Sequence, residues 1–235
     1  MGPLRFFVAV VVSILFAALE LLFILCDRRS GRLFHALARS WARSVLRICG
    51  VTVRVRGLEK VRFDRNYVYV SNHASMLDIP VIVAGIPDQI RIVYKKELHV
   101  IPVFGWGLKL GAYIAIDRGR GTKAMNSLEQ AIGKIRNGAS VLLYAEGTRT
   151  TDGNLQQFKR GAFTIAARAG VPVVPLTVNG SYSLLRKRSF SIHPGVVEIV
   201  LDAPIPVPGG DERQAELALM KQVHSVISRH YITQE

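Results

Sequence analysis

The spacing of apolar residues divides the chain into two regions of different character. Residues 6–26 are almost wholly apolar, and Glu20 is their single charge. Residues 32–49 place their apolar residues at helical intervals, with arginines four residues apart along one side. We therefore predict a pair of N-terminal helices in residues 1–50, followed by a globular domain in residues 51–235.

The second region alternates short β-branched and aromatic runs with helical patterns. Strands are predicted at residues 51–55, 67–71, 90–94, 112–116, 140–144, 173–178 and 196–201. Helices are predicted at residues 77–85, 122–137, 162–169 and 211–230. The run at 140–144 is nearly all apolar, which is typical of a strand covered on both faces. This alternation predicts an α/β fold with a mixed, largely parallel sheet flanked by helices.

The N-terminal region is expected to associate with a membrane. As a helix, residues 6–26 would measure about 31 Å, close to the thickness of a bilayer core. The pair could sit as a hairpin in one leaflet or include a true span, and Trp41 suits the headgroup region. Arg28, Arg29 and Arg32 favour the cytoplasmic side for the residues after the first helix. The alternatives are a signal peptide or buried core helix for the first helix, and a solvated helix packed on the domain for the second.

Net charge narrows the choice of partner. Lysine and arginine total 31 against 17 aspartates and glutamates, a formal charge of +14 that calls for an anionic partner. Residues 1–60 hold ten of these basic residues against three acidic ones, in the most apolar part of the chain. Basic and apolar character together favour a membrane surface over a nucleic acid. With only Cys26 and Cys49 there is no disulfide framework, and a reducing, cytosol-facing location without a metal site fits best.

The predicted strand at 67–71 passes into the next helix through a corner that carries His73 and Asp78. Five residues along one helix would separate these side chains by roughly 140°, whereas a corner lets the carboxylate reach the imidazole. A carboxylate on one ring nitrogen sets the tautomer and leaves the other nitrogen free to take a proton. The structural alternative is that Asp78 caps the helix, with Ser75 in a capping box, and that His73 only ends a strand.

Two further loops carry charged residues at the ends of predicted strands, where α/β domains gather reactive groups. Residues 117–121 offer cations on flexible glycines, or form an ordinary surface loop. Residues 145–149 follow the most apolar strand, and their glycine allows a tight turn. Arg149 can bind a phosphate through two parallel hydrogen bonds, unless Glu146 and Arg149 simply pair with each other.

The order of these motifs resembles the glycerolipid acyltransferases, and within them the lysophosphatidate acyltransferases. The matching blocks are His73 to Asp78; Lys96-Glu97-Leu98 with Pro102, Gly105, Gly111, Asp117 and Arg118; Glu146-Gly147-Thr148-Arg149; and Phe158 to Ala162 leading into Val171 to Pro175. The resemblance covers roughly residues 51–205. Tyr144-Ala145 departs from the family, which usually has Phe-Pro at these positions.

The resemblance implies transfer of a fatty acyl group from acyl-CoA or acyl-carrier protein to the sn-2 hydroxyl of 1-acylglycerol 3-phosphate, giving phosphatidic acid. It implies that His73 is the general base and that Asp78 orients it. The residues implied in acceptor binding are Lys96, Arg118, Glu146, Gly147, Thr148 and Arg149. No bound cofactor, metal or nucleic acid is expected. The implied partners are the phospholipid membrane at its cytoplasmic face, lysophosphatidate and the thioester carrier.

Two other interpretations remain open at this stage. An acyltransferase acting on glycerol 3-phosphate or on a lyso-aminolipid would use the same His73 and Asp78. A non-enzymatic basic module for membranes or nucleic acids would need neither. The basic run at 186–188 is a candidate contact for coenzyme A phosphates or a carrier protein, and is equally explained as a solvated loop.

Overall fold

The computed structural model describes residues 1–23, 31–111, 113–117, 119 and 121–233. The strands in these residues are β1 (Val51–Arg56), β2 (Val68–Ser71), β3 (Ile90–Lys95), β4 (Ile114–Ile116), β5 (Ser140–Tyr144), β6 (Val173–Asn179) and β7 (Gly195–Leu201). The helices are α1 (Gly2–Phe23), α2 (Arg32–Cys49), α3 (Asp78–Gly85), α4 (Phe104–Leu110), α5 (Thr122–Arg136), α6 (Gly161–Ala169), α7 (Ser181–Leu184) and α8 (Glu212–His230). Short 3-10 helices lie at Leu58–Lys60 and Lys96–Val100.

The described strands form one sheet in the order β1-β7-β6-β2-β5-β3-β4. Neighbouring strands run parallel, except for the antiparallel pair β6 and β7. The prediction of a mixed, largely parallel sheet is therefore confirmed. Because β2 and β5 are parallel and pair Ser71 with Tyr144, the loops after both strands leave the same edge side by side.

Each face of the sheet carries its own apolar core. Tyr69, Leu142 and Leu176 point towards α2 and α3, while Val70, Val141 and their neighbours point towards α5, α6 and α8. The central strands are buried on both sides, which explains why the run at 140–144 is apolar at successive positions.

The second N-terminal helix is part of the domain core. Its apolar side packs into the core beside α3 through Ala38, Ala42, Val45, Leu46 and Cys49. Trp41 is half-buried, and its indole N–H donates to Ser13 Oγ of α1 at 2.9 Å. The interpretation of α2 as a helix packed on the domain therefore holds for its buried side.

The first helix keeps one apolar side exposed along its whole length. The exposed residues include Leu4, Phe7, Val11, Ile14, Leu15 and Leu22. Within the described residues, α1 is the one helix that is long and apolar enough to cross a membrane. The predicted end of this helix at residue 26, the arginines at 28 and 29, and residue 112 of the predicted strand at 112–116 lie outside the described residues.

Helix α4 was not predicted from the sequence. Its glycines hide the helical pattern, because they serve close packing instead of helix propensity. A Cβ at Gly105 would lie 2.4 Å from the carbonyl oxygen of Leu98, so only glycine fits there without movement. The short helices at 58–60, 96–100 and 181–184 also gave no periodic signal.

Candidate active site

The site begins where β2 leaves the sheet. Asn72 is buried, and its side chain makes two hydrogen bonds to the backbone of Val178 in β6. Its Oδ1 accepts from the Val178 N–H at 2.8 Å, and its Nδ2 donates to the Val178 carbonyl at 2.9 Å. This amide bridge continues the pairing of β2 with β6 by one residue, so the backbone that carries His73 starts from a defined position.

His73 and Asp78 meet at the corner between β2 and α3. His73 Nδ1 lies 2.7 Å from Asp78 Oδ2, and the Asp78 side chain is fully buried while that of His73 is 16% exposed. The same Oδ2 accepts the backbone N–H groups of Ala74 at 2.8 Å and Ser75 at 2.9 Å. The interpretation of Asp78 as the helix cap is wrong, because Asp78 is the first residue of α3 and Leu77 precedes it as the cap. Its Oδ2 instead ties the turn before the helix and holds the imidazole.

The hydrogen bond to Asp78 determines how the imidazole is used. An ionised carboxylate only accepts hydrogen bonds, so His73 Nδ1 is the nitrogen that carries the proton. The Nε2 lone pair is then available to take a proton from a substrate. A base of this kind suits the deprotonation of a hydroxyl group near neutral pH.

Tyr144 supports the imidazole from one face. It is the last residue of β5, and its ring stacks on His73 with centroids 3.8 Å apart and planes 13° from parallel. Burial raises the pKa of the Tyr144 phenol well above its usual range, with Asp78 adding to the effect, so the hydroxyl stays neutral. The Tyr144-Ala145 departure was recognised in the sequence, but its contact with His73 was not.

Glu146 holds the backbone of His73 instead of pairing with Arg149. Its Oε1 accepts the His73 N–H at 2.7 Å, and its Oε2 accepts the Gln156 N–H at 3.2 Å. The side chain is 2% exposed. Thr150 N–H donates to the His73 carbonyl at 2.9 Å, so the loop after β5 binds both backbone polar groups of His73. Among the described residues no ion pair joins Glu146 to Arg149, which removes that alternative.

The same loop carries Arg149 and is contacted by Lys187. Gly147 adopts φ +71°, a left-handed conformation that favours glycine, and Thr148 and Arg149 follow it. Lys187 Nζ donates to Thr148 Oγ1 at 3.2 Å and to the Arg149 carbonyl at 2.9 Å. Within the part of the chain that the structure covers, no acidic side chain lies in salt-bridge range of the Arg149 guanidinium. A ligand carrying negative charge would therefore find a cation that no carboxylate of the described residues neutralises.

The remaining predicted site residues are placed differently. Lys96 is exposed at the start of the 3-10 helix after β3, at the sheet edge where β5 also ends, and no described contact joins it to His73 or Arg149. Arg118 lies outside the described residues. In the sequence, Lys187 stood out only as part of the basic run at 186–188. In the fold, Lys187 contacts the loop that carries Arg149. No group of three potential metal ligands occurs among the described residues.

Comparisons with known proteins agree with the resemblance read from the motifs. A protein-family model described as Acyltransferase matches residues 52–179. The chain is 34% identical over 199 residues to the chloroplastic 1-acyl-sn-glycerol-3-phosphate acyltransferase BAT2 of Brassica napus, covering 84% of this chain and 57% of that protein. It is 32% identical over 191 residues to the 1-acyl-sn-glycerol-3-phosphate acyltransferase of Pseudomonas aeruginosa, covering 78% of this chain and 73% of that protein.

A solved structure extends the similarity to the whole fold. The crystal structure of the 1-acyl-sn-glycerophosphate acyltransferase PlsC from Thermotoga maritima superposes with a TM-score of 0.82 at 27% identity. The match covers 97% of this chain and 92% of that chain. The chain spans about half the length of the chloroplastic relatives that it matches.

The buried carboxyl group of Glu146 predicts a pH dependence of stability. Burial raises the pKa of Glu146 from 4.5 to about 7, against the opposing effect of its backbone hydrogen bonds. The folded state thus holds the proton more tightly than the unfolded chain, so this stabilisation is present below about pH 4.5 and is lost as the pH rises through about 7. Relative to Glu146→Gln, the free energy of unfolding of the wild type should therefore fall across this range.

Denaturant unfolding in detergent at a series of pH values measures this difference. Glu59→Gln removes an exposed carboxyl group in the 3-10 helix after β1 and controls for the loss of one charge. A wild type that gains stability relative to Glu146→Gln as the pH rises would contradict the prediction. Such a result would show that the backbone hydrogen bonds, which lower the pKa of Glu146, have a larger effect than burial, which raises it.

Proposed function

The chain belongs to the acyltransferase family, and from this we propose that it transfers a fatty acyl group from acyl-CoA or acyl-carrier protein to the sn-2 hydroxyl of 1-acylglycerol 3-phosphate, giving phosphatidic acid. The observation that carries the proposal is the 2.7 Å bond between His73 and Asp78, beside a loop whose Arg149 has no acidic partner among the described residues. The names of the relatives favour this acceptor over glycerol 3-phosphate or a lyso-aminolipid.

In the proposed reaction His73 acts as a general base. An alcohol is a weak nucleophile, so His73 Nε2 takes the proton of the sn-2 hydroxyl as its oxygen bonds to the thioester carbonyl carbon. The C–S bond then breaks, and the imidazolium returns the proton to the departing thiolate. Base catalysis of this kind contributes roughly 10²–10⁴-fold to a rate. Asp78 keeps the proton on Nδ1 and stabilises the imidazolium as it forms.

Other residues are proposed to position this base. The Tyr144 ring limits rotation of the imidazole on one face, and Glu146 and Thr150 bind the backbone on either side of the His73 side chain. Such supports keep the reacting atoms within the small range of geometry that proton transfer requires. Glu146 is therefore proposed as a positioning residue, in place of the acceptor contact implied by the resemblance.

Arg149 is proposed to bind the phosphate of the acceptor. A guanidinium group can form two parallel hydrogen bonds to a phosphate and stays charged at all physiological pH values. Lys187 holds the loop and adds positive charge, while Gly147 and Thr148 shape the turn. Lys96 and Arg118 are proposed as further cations around the same substrate. No cofactor or metal takes part in this scheme.

The N-terminal residues are proposed to bring the site to its substrate. Lysophosphatidate resides in a bilayer, and α1 exposes an apolar side that a membrane would cover. We propose that residues 1–50 associate with the cytoplasmic face of the membrane through α1, while the buried side of α2 packs against the acyltransferase domain of residues 51–235. The formal charge of +14 supports an anionic lipid surface and an acidic thioester carrier as partners. The apolar character of the basic N-terminal region favours a membrane over a nucleic acid.

Substitution of the proposed base and its partner tests the mechanism. In an assay of phosphatidic acid formation with acyl-CoA and acyl-carrier-protein donors, His73→Ala should lower kcat by at least about 10²-fold. Asp78→Asn should also lower kcat, because an amide oxygen can replace Oδ2 as the acceptor of three N–H groups but carries no negative charge to stabilise the imidazolium as it forms. His224→Ala, at an exposed histidine of α8, should retain wild-type activity.

Two results would refute the proposed function. Full activity of His73→Ala would exclude it as the base, and no acyl transfer by the wild type to any lyso-acceptor would favour a non-enzymatic binding module. Competition between lysophosphatidate, glycerol 3-phosphate and a lyso-aminolipid identifies the acceptor.

Substitution of Arg149 tests phosphate binding separately from the chemistry. Arg149→Ala should raise the KM for lysophosphatidate by about 10- to 100-fold, which is the loss expected for a charge-assisted hydrogen bond. The KM for the acyl donor should change little, and Arg149→Lys should recover part of the loss. Arg54→Ala, at an exposed position of β1, is the matched control. An unchanged KM for lysophosphatidate would place the phosphate elsewhere.

A further inference from the structure

A second exposed apolar surface lies in the globular domain, between β3 and β4. It consists of Val100, Ile101, Trp106 and Leu110, which we call the 100–110 patch. The residues are 83%, 41%, 52% and 57% exposed, respectively. Four large apolar side chains exposed within eleven residues form a cluster rather than scattered single positions, and clusters of this kind mark interaction surfaces.

The patch faces outward because α4 is packed through its glycines. Gly105 and Gly107 are the buried residues of α4, and a Cβ added at Gly107 would make an ordinary contact with the Ala17 Cβ at 3.8 Å, so this side of α4 faces α1. Trp106 and Leu110 lie four residues apart on the exposed side of the same helix. The Tyr94 hydroxyl donates to the Leu108 carbonyl at 2.9 Å, which ties α4 to the end of β3. The patch is therefore held in place by contacts with α1 and with the end of β3.

The contact between α4 and α1 joins the patch to the exposed apolar side of α1. Ala17, which meets Gly107, is buried, while Ile14, three residues earlier and therefore on the same side of α1, is 45% exposed. One apolar surface thus runs from the N-terminal helix onto the domain.

Basic residues surround the patch. Lys95, Lys96 and Lys109 are exposed beside it. A tryptophan, aliphatic side chains and lysines together are the composition of surfaces that sit at the interface of an anionic bilayer. Continuity with α1 favours a bilayer over an acidic carrier protein as the occupant, because a carrier would not require the long apolar side of α1.

We propose that the 100–110 patch is a second membrane-contacting element, which seats Trp106 at the headgroup level of an anionic bilayer alongside α1. The membrane-facing surface then includes part of the globular domain and is not confined to residues 1–50. Lys96, at the sheet edge that carries the candidate site, comes to lie at the bilayer surface. The inference builds on the proposed membrane association and is independent of the proposed acyl transfer.

Tryptophan fluorescence tests the inference directly, because the chain holds only Trp41 and Trp106. Trp41→Phe leaves Trp106 as the single reporter in the full-length protein. On vesicles of phosphatidylcholine and phosphatidylglycerol in a two-to-one ratio, its emission should shift to shorter wavelength. Acyl-chain-brominated lipids should quench most of that emission. A control reporter is the triple variant Trp41→Phe, Trp106→Phe and Leu217→Trp, which places the indole on α8 across the sheet and should stay unquenched.

Vesicle sedimentation supplies a second measurement. Trp106→Ala should lower the vesicle partition coefficient by about tenfold, as expected when about half of an indole surface loses its apolar contact. Leu217→Ala, also at an exposed apolar position, should leave the partition coefficient unchanged. Activity of Trp106→Ala towards a water-soluble, short-chain lysophosphatidate should equal that of the wild type.

Three outcomes would overturn the inference. Protein that sediments with vesicles while Trp106 stays unquenched would confine membrane contact to other residues. Trp106 emission that is already shifted without lipid, together with a dimer that Trp106→Ala dissociates, would assign the patch to a second copy of the chain. Failure of the wild type to bind vesicles would remove the proposed membrane association as well, while leaving acyl transfer to the soluble substrate intact.

Discussion

A single carboxylate oxygen organises the candidate site. Burying a carboxylate costs free energy unless hydrogen-bond donors surround it, and Asp78 Oδ2 meets three donors within 2.9 Å. Two are backbone N–H groups that shape the turn before α3, and the third is the His73 ring. The turn and the imidazole orientation therefore depend on each other, because the same oxygen satisfies both.

The parallel sheet brings the other half of the site to this carboxylate. Since Ser71 and Tyr144 pair in register, the loop after β5 emerges beside the corner after β2. That loop stacks Tyr144 on the imidazole, binds the His73 backbone through Glu146 and presents Arg149. On the other side of β2, the Asn72 side chain hydrogen-bonds to the backbone of β6. The proposed general base is thus supported from both neighbouring strands, which is the rigidity that proton transfer requires.

The pairing of His73 with Asp78 was one of two interpretations of the sequence, and the resemblance implied it, whereas local patterns were enough to predict the strands and the main helices. These features depend on periodicity and short spacing, which a single chain displays directly. Helix α4 was not predicted because its glycines mask the helical pattern, and the close approach of Gly105 to the Leu98 carbonyl oxygen gives no periodic signal. The backbone contacts of Glu146, the stacking of Tyr144 and the approach of Lys187 are also long-range, so only the fold could reveal them. Arg118 remains a prediction, because it lies outside the described residues.

The central claim is that Asp78 holds His73 as the Nδ1–H tautomer with Nε2 free to accept a proton. Nitrogen NMR of protein labelled with ¹⁵N-histidine measures this directly, and the His73→Ala spectrum identifies the His73 signals among the six histidines. At a pH where the ring is neutral, the account predicts a protonated Nδ1 and an unprotonated Nε2. A proton on Nε2 of His73 in the wild type would contradict it.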